Sequence, residues 1–101
     1  MKKPLNRITD AVARSFAVYR IDMLSPSRGR EEVSAARDVA MLLFREQKGW
    51  TMDEIAYLFG RGRSTVVEAL KRVRGRVAAK RELAGQVERL RAEIEGWEGT
   101  A

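Results

Sequence analysis

Apolar residues recur along this chain at helical spacing, interrupted by short joints carrying Gly, Ser or Pro. Ile8, Val12 and Phe16, followed by Val18, mark a first helical face, with Thr9 and Asp10 near its start. Ile21, Met23 and Leu24 predict a short turn of helix packed on the core. Ser25 to Arg30 reads SPSRGR, a loop punctuated by Pro26 and Gly29. Glu31 to Lys48 predicts the longest helix. Val33, Ala36, Ala40, Leu43 and Phe44 form its stripe, Val39 and Leu42 lie alongside, and Arg37, Asp38, Arg45 and Glu46 take the solvent side. Glu31 and Glu32 sit where carboxylates meet the helix dipole favourably. Gly49 suits the left-handed position just past the helix end, and Trp50 caps the core from outside.

Residues 50–73 predict a shorter helix, a glycine turn and a second helix. Thr51 with Glu54 three residues on is a capping box. Ile55, Ala56, Leu58 and Phe59 supply the apolar positions, and Gly60 and Gly62 the backbone freedom for a sharp turn. The next helix opens at about Gly62 to Ser64. It buries Val66, Leu70, Val73 and Val77 and turns Arg63, Ser64, Thr65, Glu68, Lys71 and Arg72 outward. A second helix whose exposed opening is Arg-Ser-Thr is the pattern of a helix-turn-helix DNA reader.

Farther on, Leu83, Val87, Leu90, Ile94 and Trp97 are spaced 4, 3, 4 and 3, a short heptad seam with Gly85 inside it. Arg89 with Glu93 and Arg91 with Glu95 are i,i+4 pairs. Two readings stand for this seam. It folds back on its own domain, or it pairs with a second copy or a partner protein. Spacing leaves open whether residues 64–97 form one helix or two.

The expected fold is all-α: a loose basic arm over residues 1–7, a helix-turn-helix domain over 8–78 and an acidic amphipathic helix over 79–101. Charge sharpens this picture. Lys and Arg number 20 against 14 Asp and Glu, a net +6. Between Arg61 and Arg81 stand Arg61, Arg63, Lys71, Arg72, Arg74, Arg76, Lys80 and Arg81, against Glu68 alone. A solvated face normally mixes signs, so this concentration points to phosphate. Beyond Arg81 the balance inverts through Glu82, Glu88, Glu93, Glu95 and Glu98, so that helix is expected to face away from a duplex. Cysteine and histidine are absent, which removes disulfides, thiolate chemistry, the usual zinc sites and the commonest general base. No catalytic residue, metal or cofactor is expected. Neither a signal peptide nor an apolar run of about 20 residues is present, so no membrane role is expected and the protein is placed in the cytoplasm, at the nucleoid.

Residues 8 to about 77 resemble the C-terminal DNA-binding domain, domain IV, of the bacterial replication initiator DnaA. Ile8, Val12, Ala13, Phe16, Val18 and Ile21 resemble its first helix and the turn after it, and Leu24-Ser25-Pro26-Ser27-Arg28 its basic loop. Arg37-Asp38-Val39-Ala40-Met41 resembles its RQ(I/V)AM helix, and Asp53-Glu54-Ile55 with Phe59-Gly60 its PEI…FG segment. Arg61-Gly62-Arg63-Ser64-Thr65-Val66 lies where the family carries RDHTTV, and Lys71-Arg72-Val73 where it carries RKI.

The resemblance implies that Arg28 enters the minor groove and that Arg63, Ser64 and Thr65 read bases in the major groove. Arg61 and Lys71 or Arg72 would hold phosphates. Apart from the resemblance, Arg30 in the SPSRGR loop is either an ordinary exposed charge or a phosphate contact, and it is expected with Thr51 among the phosphate-binding residues. Gly62-Arg63 replaces the family's Asp-His, so a recognition sequence other than the standard origin box is expected. No GxxxxGKS or GxxxxGKT stretch occurs, so no ATPase module is expected. Free-standing domains of this type resemble phage and prophage regulators and the DNA-binding part of activators of gene transfer agents. That implies a transcriptional regulator, with RNA polymerase or a sigma-like protein as partner. The alternatives are a replication accessory at origin-type boxes and a protein-binding adaptor.

Overall fold

A computed structural model of the protein describes residues 4–25 and 30–99, all of whose regular elements are helices. They run α1 (Pro4–Phe16), α2 (Arg20–Leu24), α3 (Glu31–Lys48), α4 (Met52–Phe59), α5 (Arg63–Ala79) and α6 (Arg81–Gly99). Of the arm expected over 1–7, positions 4–7 lie in α1, and positions 1–3 lie outside the described residues. Pro4 opens α1, where a fixed φ and a missing N–H cost a helix nothing, so residues 4–7 are helical. Helix α1 ends before Ala17, whose φ of 56° puts a non-glycine residue in the left-handed region. The Val18 amide then donates to the Ala13 carbonyl at 3.0 Å.

Helix α3 is the centre of the domain, with α1, α2, α4, α5 and α6 all packed against it. Every residue from Ala36 to Phe44 is buried, so α3 has no solvent face over that span. This overturns the expectation that Arg37 and Asp38 face water. A single apolar stripe is what a helix with neighbours on one side requires, and α3 has them all round. Arg45 and Glu46, about two turns later, are exposed as expected. Gly49 closes α3 at φ 68°, and Trp50 stacks on Phe44 with centroids 4.6 Å apart. Phe44 in turn meets Phe59 edge-on at 6.2 Å, joining the end of α3 to the end of α4. In α2, Met23 is fully buried, but Ile21 is 75% exposed rather than packed on the core. Leu24 packs against the core's edge beside Met23, and the other side of this five-residue helix points outward.

The stretch after Gly62 forms two helices. Lys80, with φ −121° and ψ 113°, breaks the run, and α6 doubles back. Val87, Leu90 and Ile94 are buried in the same core as α1 and α3, with Leu83 and Trp97 packed against its edge. Of the two readings of the seam, the structure has the fold-back, so its three central side chains are not on a surface where a second helix could meet them. Polar contacts pin α6 from outside. Arg14 donates to Glu93 at 3.0 Å, and Gln86 donates to the carbonyl and hydroxyl oxygens of Ser15, both at 2.9 Å. Arg91 donates to both carboxylate oxygens of Glu46, at 2.9 and 3.1 Å, and to Glu88 at 3.1 Å. Arg91 and Glu93 thus look to other partners than the i,i+4 neighbours expected within α6.

Candidate nucleic-acid interface

The turn between α4 and α5 is built from local chemistry. The Glu54 amide donates to Thr51 Oγ1 at 3.1 Å and the Thr51 amide donates to Glu54 Oε1 at 2.8 Å, completing the capping box. Thr51, expected at phosphate, is exposed and its hydroxyl oxygen already caps α4. At the other end Gly60 takes φ 62°, and the Arg61 amide donates to the Ala56 carbonyl at 3.0 Å. Gly62 is a different case. Its φ of −78° and ψ of 161° are open to any residue, which corrects the expectation that both glycines supply unusual backbone freedom. What Gly62 contributes is the lack of a side chain at the N-cap of α5. The N-cap supplies no side-chain hydrogen bond, and the first-turn N–H groups of a helix have no acceptor within it.

Arg63, Ser64 and Thr65 all stand exposed on that opening turn. Arg63 Nη1 lies 3.4 Å from Asp53 Oδ1, both side chains well exposed, a pair weak enough to exchange for another acceptor. Arg61 is half-buried and donates to the Phe59 carbonyl at 3.2 Å. Farther along α5, Lys71 is exposed beside Glu68 at 3.8 Å. Val66, Leu70 and Val73 are buried as expected, with Val77 at the core edge. Arg30, the N-cap of α3, is exposed, while Arg28 lies outside the described residues.

Beside the opening of α5, α3 and α5 enclose a concavity of about 660 Å³. Arg37, Arg61, Arg72 and Arg76 line it, with Thr65, Ser34, Asp38 and Glu31. Arg72, expected as a simple phosphate contact, donates to Asp38 through Nε at 2.9 Å and Nη2 at 3.2 Å. That hydrogen bond holds the Arg72 guanidinium above its ordinary pKa against a smaller cost of burial. Arg37 is buried. It donates from Nε to the Met23 carbonyl at 2.7 Å and from Nη2 to the Asp22 carbonyl at 3.3 Å. Desolvation, and then Arg61 nearby, lowers its pKa, but an arginine stays charged. Arg37 therefore ties α2 to α3 at the root of the SPSRGR loop. Reading positions singly missed this network. Its signal was two charged residues embedded in an otherwise apolar run, with Arg72 and Arg76 one turn apart on α5.

A second helix opened in this way, behind a left-handed turn and next to a basic hollow, puts the domain in the class of DNA-binding helix-turn-helix domains. Residues 5–73 match the family model described as the bacterial dnaA protein helix-turn-helix, and the chain belongs to that family. Among curated proteins it is similar to the chromosomal replication initiator protein DnaA of Mycobacteroides abscessus, 37% identical over 87 residues, covering 86% of this chain and 18% of that protein. The protein of the same name from Chlorobaculum tepidum is 32% identical over 92 residues, 90% of this chain and 18% of its own length. That of Rhodopseudomonas palustris is 36% identical over 89 residues, 87% and 19% respectively. The chain thus spans less than a fifth of the length of these relatives.

Proposed function

We propose that this domain is a sequence-specific double-stranded DNA-binding transcriptional regulator, of the activator type. It reads the major groove with the opening of α5 and the minor groove with Arg28. The observation that carries the reading is that opening: Arg63, Ser64 and Thr65 all exposed on a helix whose N-cap supplies no side-chain hydrogen bond. An arginine there can fork onto guanine O6 and N7, and two hydroxyls beside free N–H groups suit base edges and phosphate. Arg30, Arg61, Lys71, Arg72 and Thr51 hold the backbone. Gly62-Arg63 stands where the resembled motif reads Asp-His, which favours a recognition sequence of this protein's own.

Selection of bound duplexes from a random pool, followed by anisotropy titration, tests the base-reading role. Arg63→Ala is expected to cost about 1–3 kcal/mol at the selected site and to relax the preference at one base pair. An equal loss on mixed-sequence DNA refutes it. Immunoprecipitation sequencing then tests the regulatory role, with enrichment at promoters expected.

A second reading is favoured by the relatives, which carry the name of a chromosomal replication initiator. It is a replication accessory binding origin-type boxes, and enrichment at an origin instead of promoters selects it. An adaptor that binds only protein gives enrichment at neither. A partner such as RNA polymerase or a sigma-like protein has the exposed acids of α6, Glu82, Glu88 and Glu95, as its natural contact. Homodimerisation on this reading uses a surface other than the buried residues of the α6 seam.

A further inference from the structure

Asp38 sits midway along α3, facing α5, with only 4% of its side chain exposed. Its two oxygens take the Nε and Nη2 hydrogens of Arg72, and Arg76 Nη1 lies 3.9 Å from Oδ2. Such a two-point pairing fixes the plane of the guanidinium as well as its position. Arginine carries five N–H donors, and Asp38 engages two of them on Arg72. The remaining three lie toward the edge turned from the carboxylate, on a side chain that is 47% exposed. Arg72 and Arg76 line the same hollow as Thr65, on the opening turn of α5.

We infer that Asp38 is a positioning residue for DNA binding, presenting Arg72, with Arg76 beside it, as a preset clamp for a backbone phosphate. The inference rests on the reading of α5 as the DNA-facing helix. A free surface arginine loses rotamer freedom when it grips a phosphate, and on Arg72 the fork to Asp38 has already taken that freedom away. The charge of Asp38 opposes an incoming phosphate. However, the carboxylate lies beneath Arg72 and Arg76, and Arg37 and Arg61 line the same wall, so four guanidinium groups face Asp38 and Glu31 and the hollow stays positive. The RQ(I/V)AM motif carries a neutral Gln at this position, so the charged fork is a departure of this chain from the motif it resembles.

The test is anisotropy titration, over a range of salt, of two short duplexes: one of mixed sequence and one selected by the wild type. Asp38→Asn is expected to weaken both by the same factor, about five- to ten-fold, and to reduce the salt slope by about one. Arg72→Lys keeps the charge but not the fork. It is expected to cost about three-fold or more in the wild-type background and little more in the Asp38→Asn background. A loss of folded protein alone lowers the active fraction without moving the slope or removing the coupling. Unchanged or tighter binding by Asp38→Asn, or additive losses in the double variant, overturns the inference while leaving the DNA-binding reading intact. Should Asp38→Asn fail to fold, Arg72→Lys binding as well as the wild type overturns it. A wild type that binds neither duplex overturns the DNA-binding reading and this inference with it.

Discussion

Ile94 is the residue on which the placement of α6 can be tested most directly. It is fully buried, among side chains of the core that α1 and α3 also line. Ile94→Ala removes three carbon atoms from that site. At about 0.8 kcal/mol for each buried methylene-sized group, the lost transfer free energy is ~2.4 kcal/mol. The cavity left behind adds to this, because Ile94 is wedged between helices pinned at Arg14 and Glu93 and at Arg91 and Glu46, which limits collapse. A total of about 3–4 kcal/mol follows, a large share of the ~5–15 kcal/mol that holds a domain folded. In a domain of this size that corresponds to a fall in Tm on the order of 15 °C. Urea unfolding followed by circular dichroism at two protein concentrations is the assay. The wild-type midpoint is expected to be independent of concentration, and the variant to unfold at lower urea with an unchanged slope. A loss below about 1 kcal/mol, or a wild-type midpoint that rises with concentration, refutes the packing of α6 on its own domain.

Substitutions at four further positions probe the local geometry. Ala17→Gly relieves a left-handed backbone at an exposed position and is expected to raise stability by about 0.5–1 kcal/mol, read as a rise in Tm; a fall refutes the strain argument. Thr51→Ala breaks the capping box of α4 and is expected to cost about 1 kcal/mol, with Thr51→Ser restoring most of it in urea unfolding. Gly60→Ala, at φ 62°, is expected to destabilise by about 1 kcal/mol. Gly62→Ala, at φ −78° with open space around its Cβ, is expected to be nearly neutral, and thermal melts of the two variants compare them directly.

Features decided within a few residues were legible in the sequence. The Thr51–Glu54 box, the left-handed Gly49 and Gly60, and the exposure of Arg63, Ser64 and Thr65 all depend on neighbours within one or two turns. What was not legible depends on how many elements surround a helix. Arg37 and Asp38 occupy the polar side of the apolar stripe, and only the packing of α2 and α5 on that side shows that they are buried and paired. The heptad pattern of α6 is the same whether its partner is a second chain or the domain's own α1 and α3. Arg91 has acids within reach on its own helix, yet it engages Glu46, 45 positions earlier, as well as Glu88. The two glycines of the turn were equal as letters and differ in backbone conformation, left-handed at Gly60 and extended at Gly62.

The contacts that fasten α6 carry a consequence for synthesis. Gln86 holds Ser15 across 71 positions and Glu93 holds Arg14 across 79. On a ribosome adding roughly 5–20 residues per second, α6 follows α1 by some seconds, and α1 waits that long for its cover. Until Ile94 has emerged, the apolar side of α1 that α6 covers stays wet. The helix-turn-helix, complete by Ala79, is therefore finished before the core that steadies it can close.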